Sequence, residues 1–284
     1  MSKISRRGLR ITAAAAGAGV IAAAAWAATA HAGPADAATS IAQRPVNTRV
    51  QLAPMPQGTV TFGRDRRGEV DVTVDAFGLT PGSSHRVVLM NGRGVVTTFS
   101  TLTADSRGRA RDETLDSRYT GTIGSWQVAV LNGNGGSLDT FLPIARTGDY
   151  NGSRHAYQLI ALETDTRGRD WGTPRGSAVI AYDRNAETIS VTVNATGLEP
   201  GRHAAHIHVG SCVSQGPVQY MIRDFTANSR GQIVDQTRVV TDVRTPLPAR
   251  GWYFNLHQGN SGDILANGRP TINFRPLLCG DIAP

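Results

Sequence analysis

The 284 residues suffice for one large or two ordinary domains, and a hydrophobic content of 40% against 18% charged residues excludes global disorder. The formal net charge is +7, but Lys3, Arg6, Arg7 and Arg10 carry four of those charges within an acid-free first 32 residues, which leaves +3 downstream. The remaining arginines are scattered among aspartates, as in Arg64-Asp65-Arg66-Arg67, and form no basic stripe with interleaved aromatics, which excludes a nucleic-acid surface.

Residues 1–32 read as a signal peptide. A charged start precedes an Ala/Gly-rich apolar stretch that ends in Ala30-His31-Ala32, with small residues at both positions a signal peptidase reads. The paired Arg6-Arg7 followed by Leu9 resembles a twin-arginine export signal. The expected location is therefore secreted or in the cell envelope, with no membrane attachment once the segment is removed. Residues 33–45 read as a flexible spacer.

Downstream the chain repeats itself. Val72-Thr73-Val74 and Gly78-Leu79-Thr80-Pro81-Gly82 match Val191-Thr192-Val193 and Gly197-Leu198-Glu199-Pro200-Gly201. Thr103 to Gly108 matches Thr226 to Gly231, and Trp126 to Asn134 matches Trp252 to Asn260. Matches in the same order indicate a duplicated domain. In each copy, short β-branched runs are bounded by Arg-Gly or Pro-Gly turns: residues 59–63, 70–75 and 86–90, then 178–182, 188–194 and 204–209. Helical periodicity is absent. The expected fold is all-β, two tandem Greek-key β-sandwiches at residues 46–147 and 157–284. A linker over 148–156 joins them, in the polar stretch that opens at Arg146.

The chemistry concentrates in the second copy. His206 and His208 lie two apart on a predicted strand and project to the same face. His257, on a second predicted strand, supplies a third imidazole, and three imidazoles suit copper or zinc. By the repeat alignment, whose offset changes slightly between segments, their counterparts are Val87, Leu89 and Leu131, all apolar, so the fold itself does not demand histidine there. His85 and His155 have no partner motif and read as surface residues. Cys212 and Cys279 are the only cysteines. In an exported protein such a pair reads as one disulfide, and two metal thiolates are the weaker alternative because neither lies in a Cys-x-x-Cys pair.

Gly197-Leu198-x-x-Gly201-x-His203-x-x-His206-x-His208 resembles the Cu/Zn superoxide dismutases. So do Cys212, followed by Gly216-Pro217-Val218, and Leu278-Cys279-Gly280-Asp281-Ile282. The resemblance implies copper on His206, His208 and His257, a buttress at His203, and a bridge between Cys212 and Cys279. It also implies superoxide as substrate. Departures are equally specific. Val218 occupies the family's metal-bridging histidine position, and the zinc ligands are missing, so no zinc is expected and efficient turnover is doubtful. Pro276 stands where the family's anion-guiding arginine lies, which leaves Arg275, one residue off, as the candidate for that role. A second resemblance runs through Gly251 to His257 and Gly262-Asp263-Ile264, which is similar to the strand of chordin-type (CHRD) domains. It implies a non-catalytic secreted module, and a copper-sequestering protein is the other non-catalytic alternative.

Overall fold

The computed structural model describes residues 46–133, 143–152, 156–165 and 169–283. The expected signal peptide, the expected spacer over 33–45 and His155 lie outside the described residues. Seventeen strands carry the architecture. In the first copy they are β1 (Val46–Pro54), β2 (Gln57–Arg64), β3 (Val70–Phe77), β4 (Val87–Asn91), β5 (Gly94–Thr98), β6 (Arg109–Asp116), β7 (Gln127–Leu131) and β8 (Pro143–Arg146). After them come β9 (Ala156–Gln158), β10 (Ile160–Ala161), β11 (Arg175–Asp183), β12 (Thr188–Thr196) and β13 (Gly201–Val209). The last four are β14 (Val218–Ala227), β15 (Ile233–Val240), β16 (Trp252–His257) and β17 (Pro276–Ile282). Among the described residues there is no α-helix, and the fold is all-β.

Alternation builds the strands. On β3, Val70, Val72, Val74 and Ala76 point inward, and on β12 Ile189, Val191, Val193 and Ala195 do the same. Every second side chain thus enters a core while its neighbours face outward. The repeated glycine motifs close the same joint in each copy. Leu79 N–H donates to Gly108 O at 3.1 Å, and Leu198 N–H donates to Gly231 O at 3.2 Å. A Cβ on Gly108 or Gly231 would strike the carbonyl oxygen of that same leucine, and both glycines have positive φ, so no other residue closes this joint without strain.

The first sandwich stacks a sheet ordered β9-β2-β3-β6 on one ordered β10-β8-β7-β4-β5. The second is a rolled sheet ordered β14-β13-β16-β17-β1-β11-β12-β15, in which β1 passes from one layer to the other. Its two edges face each other: Arg238 of β15 donates to Asp224 O of β14, and Gln236 exchanges two hydrogen bonds with the Thr226 backbone. Strand for strand, the orders of the two sandwiches are the same.

The division at 46–147 and 157–284 needs correcting, because the first strand of each copy belongs to the other sandwich. Residues 46–52 of β1 pair antiparallel with β11, and Ala53 and Pro54 pair with β17. Reciprocally, β9 pairs with β2 and β10 pairs with β8. Side chains follow the exchange. Val50 and Leu52 enter the second core, and Leu159, between β9 and β10, enters the first. Alternation along residues 46–54 identifies a strand and its buried face, but the partner is a tertiary choice that local pattern does not encode.

Candidate metal centre

β13 and β16 are neighbours, and their register puts His206 opposite Asn255 and His208 opposite Tyr253. Ala205 and Ile207 on β13, with Phe254 and Leu256 on β16, fill the core. The opposite face therefore carries His206, His208, Tyr253, Asn255 and His257. That face is itself buried: no side chain in this set exceeds 3% exposure. Met55 and the partly buried Phe77 close it at the Tyr253 end, in one apolar cluster with the two cysteines. Phe274 lies against His257, ring centroids 4.7 Å apart.

The three imidazoles converge. His206 Nδ1 and His257 Nε2 are 3.1 Å apart, and the ligand-capable atoms of the triad all lie within 4.8 Å of one another. Carbonyl groups set the tautomers. His208 Nδ1–H donates to Gly216 O at 2.9 Å and His257 Nδ1–H donates to Phe274 O at 2.6 Å. A carbonyl only accepts, so each of these neutral rings turns the lone pair of Nε2 toward the cluster. Such a backbone bond on the far nitrogen is the usual way a metal-binding histidine is oriented. His208 is further held by stacking on Tyr253, at 4.8 Å and 17°.

Burial keeps the triad neutral. It pushes His206 down to about 4, with His208 adding to the effect and Asp224 opposing it. His208 is lowered by burial, against the pull of the Gly216 carbonyl. His257 is pushed well below the ordinary range by burial first and His206 second. Neutral imidazoles are what a metal ion binds at neutral pH. His206 Nε2 and His208 Nε2 are buried and have no hydrogen-bond partner among the described residues. Two imidazoles on one ion at about 2.0 Å stand roughly 3 Å apart, so the donor set and its spacing fit a single transition-metal ion.

His203 lies beneath the site. Its Nδ1 bonds the His257 carbonyl at 3.0 Å and its Nε2 the Glu199 carbonyl at 2.8 Å, which ties β16 to the turn before β13. Cys212 and Cys279 form a disulfide that fastens the β13–β14 loop to β17. The same loop presents the Gly216 carbonyl to His208.

Three expectations need correction. Arg275 is not an anion guide. Its guanidinium is 1% exposed and is held by an ion pair to Glu163, by Leu162 O at 3.1 Å and by Gln258 at 3.1 Å. No face of it is left for an arriving anion. His85 is not a surface residue. It is 2% exposed, with Nδ1 on Leu131 O at 2.9 Å and Nε2 on Ser83 Oγ. The repeat alignment slips by one residue on β4. Val87 pairs with Val130 as Ala205 pairs with Leu256, so the counterparts of His206 and His208 are Val88 and Met90. A one-residue slip exchanges the two faces of a strand, and Val87 and Leu89 do lie in the core. Val218 pairs with His208 in register and is 40% exposed.

With the correct register the first copy shows what the fold makes without histidine. Val88, Ala129 and Leu131, joined by Met90, form a small apolar cluster at the positions of His206, Asn255, His257 and His208. Tyr253 and Asn255 were not singled out as site residues in the sequence. The available signal was Tyr-x-Asn-x-His, whose period of two puts all three on one face.

The family model described as the CHRD domain matches residues 163–263. No curated protein matches the chain. The matched segment holds the whole triad, Asn255, Tyr253 and Cys212, and it stops short of Cys279. The second sandwich is thus similar to a CHRD domain over most of its length, and the dismutase resemblance draws no support from this match.

Proposed function

We propose that the second sandwich is a CHRD-like module that holds one copper ion on His206, His208 and His257, and that it binds the metal without efficient turnover. The observation that carries this reading is a buried face on which three neutral imidazoles converge, two of them with tautomers set by backbone carbonyls. Copper is favoured over zinc at an all-imidazole site by the general affinity order of divalent ions. The reading is binding rather than dismutation because Arg275 is sealed in an ion pair and Val218 has no nitrogen to ligate a metal or carry a proton. The disulfide agrees with an oxidising compartment, and export on residues 1–32 is part of the same proposal.

Elemental analysis after dialysis against excess copper and zinc together tests the metal. One equivalent of copper and less than a tenth of an equivalent of zinc is expected. A chain that retains neither ion ends the proposal. Fast superoxide decay catalysed by the copper-loaded protein would replace it with the dismutase reading.

A further inference from the structure

Asn255 is 1% exposed, yet neither its Oδ1 nor its Nδ2 has a hydrogen-bond partner among the described residues. A buried amide offers one acceptor and two donors, and interiors satisfy such groups almost without exception. Here it lies cross-strand from His206 and two residues from His257, on the face that also carries the unpartnered His206 Nε2 and His208 Nε2. Four unsatisfied buried atoms thus share one small face. The first copy builds the same strand pair with Ala129 at this position, fully buried, so the sandwich has no packing need for an amide.

Resting on the copper reading above, we propose that Asn255 captures a small monodentate anion in the coordination position that three imidazoles leave open. A divalent ion on three neutral imidazoles is a buried double positive charge, which favours an anionic fourth ligand. The nearby carboxylate does not serve, because Asp224 is paired with Arg202 at 2.8 Å and accepts from Ser261. The Asn255 Nδ2–H group then donates to the bound anion, which gives that buried donor a partner. A purely structural asparagine predicts the opposite behaviour on replacement, which makes the two roles separable.

The test uses full-length protein, azide as the anion probe, and the variants Asn255→Leu, of the same branched shape, and Asn255→Ala, the residue of the first copy. Copper titration comes first. One equivalent in wild type and both variants is expected. The azide-to-copper charge-transfer band should then titrate with at least tenfold weaker affinity in both variants. Without metal, Asn255→Leu should melt about 2–4 °C higher than wild type, since it removes buried unsatisfied polar atoms. Azide that fails to bind the loaded wild type, or binds the loaded variants equally tightly, overturns the inference and leaves the copper site standing. A lower melting temperature for metal-free Asn255→Leu also overturns it, by assigning the amide to the fold. A wild type that takes up no copper overturns the copper reading, and the role of Asn255 falls with it.

Discussion

The two sandwiches differ less in fold than in what they bury on one face. Both have the same strand order and the same glycine–leucine joint, and both place a histidine under that face. His85 bonds the Leu131 carbonyl as His203 bonds the His257 carbonyl, at 2.9 and 3.0 Å. In the second copy Nε2 of that histidine reaches the Glu199 carbonyl directly. In the first, Ser83 Oγ stands between His85 and the Thr80 carbonyl. This histidine is therefore part of the fold, used twice. The triad is used once, where the sister copy packs Val88, Met90 and Leu131. An internal duplicate separates architectural histidines from added ones, which a single domain does not permit.

The comparison also shows that the copies are not independent bodies. Each takes its first strand from the other's stretch of chain. Deleting residues 46–54 should therefore damage the second sandwich more than the first, although the deletion is remote from it in sequence. It removes Val50 and Leu52 from the core, each contributing about 1.5–3 kcal/mol, and exposes the ladder edges of β11 and β17. Loss of copper binding and of protease resistance in residues 175–282 is expected. Retention of both would mean that β1 is dispensable and the exchange incidental.

Smaller in effect is the bridge between Cys212 and Cys279, 67 residues apart, which has no counterpart in the first copy. A loop of that size stabilises by about 4 kcal/mol on the chain-entropy model. The double variant Cys212→Ser, Cys279→Ser should lose stability of that order in denaturant titration. It should also bind copper more weakly, because the loosened loop carries the Gly216 carbonyl that orients His208. Unchanged copper affinity would show that β14 alone holds the loop.

Much of this was readable before the strands were assembled, for definable reasons. Period-two alternation located β3, β12 and β13 and put His206 and His208 on one face. The spacing of glycines located the repeated joint. Pairing was not readable, because nothing in residues 46–54 names β11 as partner. The register of β4 was missed for a related reason: the copies differ by one residue between the Pro-Gly turn and the strand, and a constant offset carried His85 onto Ala204 instead of His203. Arg275 was misread because a buried ion pair looks like any loop arginine until Glu163, over a hundred residues away, is placed beside it.

Grafting the sister residues is the more focused test of the triad. His206→Val, His208→Met and His257→Leu together should abolish copper retention and leave the circular dichroism spectrum all-β. Metal-free, this variant should melt a few degrees higher than wild type, since unpartnered ring nitrogens give way to the apolar packing the first copy already uses. A triple variant that still retains one copper would remove these histidines from the site.

The smallest effect, and the one that separates the copies most finely, is acid sensitivity of the metal-free protein. Burial depresses His206 to about 4 and lowers His208 and His257 as well. In the unfolded chain all three return to near 6.5. Between these limits the unfolded state binds more protons than the folded one, so acid favours unfolding. The stability contributed by keeping the triad neutral is fully present above about pH 6.5 and is lost as pH falls toward 4. The groups facing His206 work against one another: His208 lowers its proton affinity, while Asp224, itself paired with Arg202, raises it. The sister cluster has no titrating group, and His85, lowered by burial, is common to wild type and variant and cancels in the comparison. Melting temperatures of the metal-free wild type and the triple variant should therefore diverge steadily from pH 7 to pH 4.5, with the wild type falling faster. Parallel curves would mean that the three rings take up protons as easily folded as unfolded. The buried neutral face on which the copper reading rests would then not exist in solution.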